Sequence, residues 1–283
     1  MKFTMTLPDQ TAEMTVKDLL EKEWLVPRKV RHFIRIRKGI LVSGEARHFQ
    51  EMVYPGDSIT IILEASDYPE RKILLGDKQK IKVLYEDEHL IIVNKPVGMK
   101  THPNQPEERD TLLNHLAAYL APKAQPHVVH RLDKETSGAI LFAKNPFVLP
   151  ILGRLLEQKK IYRRYQAIVQ GTIKQDLTIN KKIGRDRHDR RKRRIDPKGG
   201  KAALTHVEIA QRLHQQTAIY CQLETGRTHQ IRVHLASIGH PLVGDPLYSK
   251  NPQGRLMLHA FELHLQHPFT NQAISVQALP GLW

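Results

Sequence analysis

Residues 130–143 read His130-Arg131-Leu132-Asp133-Lys134-Glu135-Thr136-Ser137-Gly138-Ala139-Ile140-Leu141-Phe142-Ala143. From Gly138 to Ala143 the run is continuously apolar and of strand length, the pattern of a strand buried on both faces. Just before it, one carboxylate, Asp133, stands between Arg131 and Lys134. Opposite charges favour the ionised form of a carboxylate, and an ionised carboxylate in a partly closed site serves as nucleophile or base. On spacing alone, the same Asp equally suits the closing of a tight turn.

Outward from this segment, strands outnumber helices. Residues 81–85 and 90–94 are predicted strands around the turn Glu86-Asp87-Glu88, and Val128-Val129 marks another. Asp110 or Thr111 caps a helix carrying Leu112, Leu113, Leu116 and Leu120. Asn145-Pro146 opens a helix with Ile151, Leu152, Leu155 and Leu156 on one side; Pro150 inside that pattern predicts a later start or a bend. Residues 165–169 and 218–223 are strands, with Tyr165, Ala167 and Val169 on one face. Strands following one another this closely predict an α+β fold with a mixed, largely antiparallel sheet rather than a doubly wound one.

Residues 1–64 form a separate small α/β module in this reading, 65–80 a linker without periodicity, and 81–283 the main domain. In the module, Val16, Leu19, Leu20 and Trp24 have helical spacing. Pro27 opens a second helix, ended by Gly39, that holds Arg28, Lys29, Arg31, Arg35, Arg37 and Lys38 with no acid between 28 and 38. Val30, Phe33 and Ile34 give that helix a face to bury while the other stays basic. Residues 40–42 and 58–63 are strands, with turns at Ser43-Gly44 and Pro55-Gly56-Asp57.

Across 283 residues, 44 Lys and Arg against 29 Asp and Glu give a net charge of +15. That excess points to a polyanionic partner, nucleic acid first. A single cysteine, Cys221, excludes a disulfide-stapled scaffold. No apolar run is long enough for a membrane helix, and no apolar signal core follows Met1. The expectation is a soluble cytoplasmic protein, monomeric, with no membrane and no obligate protein partner. The densest basic block, 181–201, contains Arg190, Arg191, Arg193 and Arg194; such density is usually disordered or lies on a phosphate backbone.

Two further segments suggest chemistry. In Glu224-Thr225-Gly226-Arg227-Thr228-His229-Gln230-Ile231-Arg232-Val233-His234, Gly226 permits a sharp exit from a strand. Thr228 caps a helix there, and Arg227 at the junction reaches toward a cleft. His229 and Arg232, three apart, share a side. In Arg163-Arg164-Tyr165, the phenol suits stacking on a base or simple packing. No Cys/His cluster has metal-ligand spacing, and no Walker-type or dinucleotide glycine motif is present, so neither metal nor cofactor is expected.

Taken together, Val93-Asn94-Lys95-Pro96-Val97-Gly98-Met99 with His102-Pro103, then 130–138, 165–171, 226–234 and Gly239-His240-Pro241-Leu242-Val243-Gly244-Asp245-Pro246-Leu247-Tyr248 resemble the RNA pseudouridine synthases of the RluA/RluD type. Residues 28–44 and Tyr54-Pro55-Gly56-Asp57 resemble the RNA-binding domain named from ribosomal protein S four. The resemblance implies the pseudouridine synthase fold and uridine isomerisation in structured RNA, large-subunit ribosomal RNA first, without a cofactor. It implies Asp133 as the essential carboxylate, Arg131 as the group that helps displace or replace the flipped nucleotide, and Tyr165 as the residue that packs on the uracil and assists proton removal. Arg227 would hold Asp133 ionised and oriented. His130, Lys95, Arg28, Arg31, Arg35 and the arginines of 190–194 would contact substrate or RNA. Glu135 stands where Asp is commoner and Arg163 where the family often has Lys. The remaining alternatives are a tRNA-directed synthase, a hydrolase that releases free base, and a non-catalytic RNA-binding or ribosome-assembly factor.

Overall fold

The first 62 residues pair into a four-stranded antiparallel sheet in the order β1–β6–β3–β4. Its strands are β1 (Lys2–Thr6), β3 (Ile40–Val42), β4 (Glu45–Ala46) and β6 (Ser58–Ile62), while β2 (Met14–Thr15) pairs separately with β5 (Met52–Val53). The computed structural model describes residues 1–64, 68 and 72–281. Thr15 accepts the Asp18 N–H at 3.1 Å and starts α1 (Val16–Asp18), which runs into a π-helical turn over Leu19–Glu23. That turn buries Leu19, Leu20 and Trp24, as their spacing predicts. Pro27 then caps α2 (Arg28–Ile36). Lys38, not Gly39, takes the left-handed conformation after this helix, at φ 51°. Gly39 is required for space instead: a Cβ there would lie 2.5 Å from the Ile62 carbonyl oxygen.

The main sheet has ten strands. Its path is β12–β15–β16–β11–β17–β10–β8–β7, with β9 added to β10 and β18 to β17. The strands are β7 (Val83–Glu86), β8 (Leu90–Lys95), β9 (His127–Val128), β10 (Ser137–Ala143), β11 (Tyr162–Gln170), β12 (Leu177–Asn180), β15 (Leu204–Leu213), β16 (Gln216–Leu223), β17 (Leu258–Gln266) and β18 (Ala273–Gln277). Only β10 and β17 run parallel, so the sheet is mixed and largely antiparallel, in an α+β fold. Helices α3 (Leu112–Leu120), α4 (Val148–Glu157) and α5 (Gln230–Ala236) complete the layer. Pro150 lies in the first turn of α4, where its missing N–H has no helical partner to lose. The helix starts at Val148, later than Asn145-Pro146, as Pro150 predicts.

Period-two alternation explains why β8 and β10 are apolar throughout. Leu90, Ile92, Ala139, Leu141 and Ala143 face one core, which also takes in Leu20, Trp24, Ile34 and Ile59 of the N-terminal module. Ile91, Val93, Ile140 and Phe142 face a second core with Leu116, Tyr165, Ile231 and Leu235. The module therefore packs on one face of the main sheet, opposite the face that holds Tyr165. Phe3 stacks on Phe147 at 5.6 Å, Trp24 meets the Phe269 ring edge-on at 5.1 Å, and Arg154 of α4 donates to the Leu25 carbonyl at 3.1 Å.

Of the expected linker, residues 65–67 and 69–71 lie outside the described residues. Its later part is docked on α3. Gly76 N–H donates to the Asn114 carbonyl at 3.0 Å, Asn114 Nδ2 to the Leu74 carbonyl at 2.6 Å, and Lys78–Lys80 form a 3-10 turn. The basic block 181–201 is also ordered, as a hairpin of β13 (Ile183–Arg185) and β14 (Arg193–Ile195). Ile183, Ala203 and Val233 form a small core beneath it, with Ile195 and Tyr248 against them. Asp186 and Asp189 hold its tip by accepting backbone N–H groups. These contacts supply the apolar anchoring that composition alone does not reveal.

Because Phe147 is buried in the core shared by the module and the main sheet, Phe147→Ala should destabilise the protein by about 3–5 kcal/mol. Urea denaturation followed by circular dichroism measures this. A loss below about 1 kcal/mol would show that the shared core contributes little.

Candidate active site

The segment before β10 is held from both sides. Leu132 donates its N–H to Thr101 Oγ1 at 3.2 Å, and its carbonyl accepts from the same hydroxyl at 2.8 Å. The Lys134 carbonyl accepts from Gly98 N–H at 2.9 Å and Lys95 Nζ at 3.1 Å. Thr136 N–H closes the turn on the Asp133 carbonyl at 3.1 Å. Gly138, at φ 114°, then lets β10 approach β17 so closely that a Cβ would lie 2.3 Å from the Ala260 carbonyl oxygen. Asp133 is thus presented from a rigid turn at the end of a buried strand, and its role in closing the turn is met by its backbone. Its side chain points into a cleft of about 490 Å³, a volume in the range of ordinary ligand sites.

The cation beside Asp133 is Arg232, not Arg227. Arg232 NH1 lies 3.3 Å from Asp133 Oδ2. Its Nε and NH2 form a two-pronged pair with Asp245, both bonds at 2.8 Å, and Asp245 is fully buried. Asp245 also accepts the N–H groups of Leu247 and Tyr248. Arg227 lines the cleft but is exposed, with Nε on the Ala202 carbonyl at 3.0 Å. The difference follows from where the helix begins. His229, not Thr228, is the cap, in left-handed conformation at φ 58°, and α5 starts at Gln230. That turns Arg232 of the first helical turn inward and leaves Arg227 in the loop between β16 and α5.

His229 completes the surroundings of the carboxylate, with Nε2 at 3.6 Å from Asp133 Oδ2. Burial pushes its imidazole below the ordinary value, with Asp133 opposing and Arg232 assisting. Tyr248 Oη accepts the Arg193 N–H at 2.7 Å and lies 2.9 Å from His229 Nδ1. The hydroxyl can give its proton to Nδ1, and in that tautomer the Nε2 proton faces Asp133. A chain of contacts thereby joins the basic hairpin to the carboxylate.

On β11, the inner face presents Arg163, Tyr165, Ala167 and Val169. Tyr165 lines the cleft, 5% exposed. Burial raises its phenol, with Arg163 opposing and Asp133 adding, so the group stays protonated at neutral pH. Cys221 on β16 is fully buried, with its thiol pushed up to about 12 by desolvation.

The other expected contacts divide. Arg131 is exposed on the cleft rim, and Arg28, Arg35, Arg190 and Arg191 are exposed on the surface, Arg191 paired with Asp189 at 2.9 Å. Arg31 is tied to Glu21 at 2.8 Å. Arg193 and Arg194 are half-buried, and Arg193 donates to the carbonyls of Arg190 and Lys192. Two expected contacts are overturned by burial. Lys95 is wholly enclosed, and its three N–H groups go to the carbonyls of Pro96, Met99 and Lys134. Burial lowers its ammonium to about 7 against the pull of Asp133 and Glu135. His130 lines the floor, where its Nε2 accepts the Leu141 N–H at 3.1 Å and burial drives it down to about 3. Lys95 spends all its protons on bracing the turn, whereas His130 is tied to β10 through Nε2 and its Nδ1 has no hydrogen-bond partner. Arg232, His229, Asp245 and Tyr248 were given no role from sequence, although the three-residue spacing of His229 and Arg232 signalled a shared side. Among the described residues no cluster of His, Cys, Asp and Glu is placed to hold a metal, and no helix is long and apolar enough to cross a membrane.

Residues 89–237 match the model of the RNA pseudouridylate synthase family, and residues 3–59 match that of the RluD ribosomal pseudouridine synthase N-terminal domain. An uncharacterised RNA pseudouridine synthase of Bacillus subtilis is 40% identical over 247 residues, covering 84% of this chain and 80% of that protein. Ribosomal large subunit pseudouridine synthase D of Nitrosomonas europaea is 34% identical over 287 residues, covering 95% and 82%. The solved structure of human RNA pseudouridylate synthase domain containing 1 matches with a TM-score of 0.59 at 28% identity, covering 72% of this chain and 85% of that one.

The two arginines should separate by stability. Arg232→Met strips a buried carboxylate of its partner and should cost about 3–5 kcal/mol. Arg227→Met, at an exposed position, should stay within about 0.5 kcal/mol of wild type. Urea unfolding at pH 7 reads both, and equal losses would contradict the assignment of Arg232 as the buried partner.

Proposed function

The chain belongs to the RNA pseudouridylate synthase family, and from that premise we propose that it isomerises uridine to pseudouridine in large-subunit ribosomal RNA, with Asp133 as the nucleophile. The observation that carries this reading is the carboxylate of Asp133 in the cleft, beside Arg232 and His229 and among the cleft residues that include Tyr165. The names of the relatives in Nitrosomonas and elsewhere favour ribosomal RNA over tRNA as the substrate.

A uridine in a stack is out of reach of a recessed carboxylate. The nucleotide must leave its stack, at a cost of a few kcal/mol, and enter the cleft. Arg131 on the rim fills the place it vacates. Asp133 then attacks the ribose carbon C1′, the bond to N1 breaks, and the electron pair departs with the base. Arg232 holds the carboxylate in line through an N–H of NH1, while Asp245 fixes the guanidinium through Nε and NH2. Tyr165 packs on the uracil and keeps it in the cleft as it turns. C5 then bonds to C1′, Asp133 is released, the proton leaves C5 and N1 gains one. Atoms and electrons balance within one nucleotide, so the step requires no cofactor.

RNA binding falls to the exposed cations. The hairpin with Arg190, Arg191, Arg193 and Arg194 joins the site through Tyr248 and His229. Arg28 and Arg35 of α2 lie on the module packed against the other face, with α4 between, and Leu156 and Glu157 at the end of α4 line the cleft. We assign the module, residues 1–64, as a second RNA contact and residues 81–283 as the catalytic part.

Asp133→Asn should reduce tritium release from 5-tritiated uridine in ribosomal RNA to below about a thousandth of wild type, with the fold retained by circular dichroism. Turnover undiminished in a folded variant would refute the role of Asp133, and free uracil among the products would indicate hydrolysis instead. Replacing Arg190, Arg191, Arg193 and Arg194 by Gln should weaken RNA binding and flatten its logarithmic salt slope by about 2–3. An unchanged slope in filter-binding titrations would remove the hairpin from the RNA interface.

A further inference from the structure

Arg163 is a buried cation without a counter-charge. It is 9% exposed, on the inner face of β11 two residues before Tyr165, and it lines the same cleft. Its Nε is enclosed and has no hydrogen-bond partner. Among the described residues no carboxylate lies within ion-pair distance of it. The neighbouring cations differ: Arg232 is paired with two carboxylates, and Arg164, on the outer face, with Glu208 and Glu262. Gly226 opposes Arg163 across the cleft wall; a Cβ there would sit 3.5 Å from Arg163 NH1, in ordinary contact. An uncompensated guanidinium in a low-dielectric site is costly to keep. It is useful where negative charge develops during a reaction.

The proposed reaction makes such a charge. When the bond between C1′ and N1 breaks, its electron pair leaves with the base, which becomes a uracil anion delocalised over N1, O2 and O4. Asp133, now bonded to C1′, is neutral. One negative charge has therefore moved from the Arg232 side of the cleft onto the base. We infer that Arg163 is a catalytic residue that stabilises this detached uracil anion, a role that rests on the isomerase reading above. The charge persists on the base until C5 bonds to C1′, when it returns to the released Asp133 carboxylate; the proton then moves from C5 to N1 without further change of charge. Arg163 thus acts on the base, while Arg232 acts on Asp133.

The test varies the leaving group. Large-subunit ribosomal RNA is transcribed with uridine or with 5-fluorouridine, whose fluorine stabilises the base anion by itself. Cleavage of the bond to N1 is followed in single turnovers by nuclease digestion and mass spectrometry. Arg163→Gln should slow the uridine reaction by about a hundredfold or more and the 5-fluorouridine reaction at least tenfold less, with RNA affinity near that of wild type. Arg163→Lys, which keeps the charge, should lie much closer to wild type, and it carries the same comparison if the Gln variant does not fold. Equal slowing on both RNAs would overturn the inference, as would a wild-type rate. So would a loss confined to affinity, which would make Arg163 a phosphate contact. A wild-type chain inert on the uridine transcript would instead refute the isomerase reading itself, and the inference with it.

Discussion

Arg232 between two carboxylates is the interaction on which the site depends. Asp245, fully buried, takes two of its N–H groups, and Asp133 takes another at 3.3 Å. A buried carboxylate is tolerable only with a partner, and a buried guanidinium likewise. The bonds to Asp245 therefore fix the direction in which NH1 points. Asp133 need not organise its own cation. It meets one already locked in place by α5 and by the loop that supplies Asp245. The backbone of the 130–138 turn, braced by Thr101 and Lys95, supplies the other half of the geometry, so the carboxylate and its partner are positioned by different parts of the chain.

The same economy extends outward. Tyr248 follows Asp245 by three residues and links His229 to the backbone of Arg193, so the basic hairpin is seated on the site rather than tethered near it. On the opposite face of the sheet, the N-terminal module shares a core with β8, β10 and α4. A polyanion bound to both would be gripped by surfaces fixed relative to the cleft. On the proposed reading, the charge of +15 divides into exposed cations that would bind RNA and a few buried ones that would position or react.

Much of this was legible in the chain. The apolar run after Asp133 gave a strand buried on both faces because alternation fails only when both faces are covered. The helices at 112–120 and 148–157 announced themselves by apolar spacing. The strands at 204–213 and 258–266 did not, because the first is exposed along its second half with a bulge near Ile209 and the second mixes His and Glu with its apolar residues. The partner of Asp133 was misassigned because two arginines five residues apart differ only in which way the helix turns them, and that depends on the left-handed His229. Lys95 resembled an RNA contact because a lysine is almost never enclosed; here the carbonyls of Pro96 and Met99 in its own loop and of Lys134 across the turn accept all its protons. The order of the 181–201 block came from Val233 and from Tyr248, whose hydroxyl meets Arg193 across 55 residues of sequence.

The central claim is that Asp133 carries out uridine isomerisation in large-subunit ribosomal RNA. Its most direct test is a map of pseudouridines in total RNA from cells carrying the wild-type chain, no chain, or Asp133→Asn at normal abundance. The account predicts that the same site or sites in large-subunit ribosomal RNA lose pseudouridine in the last two strains alike. Pseudouridine retained at those sites in the Asp133→Asn strain, or maps identical in all three, would contradict it.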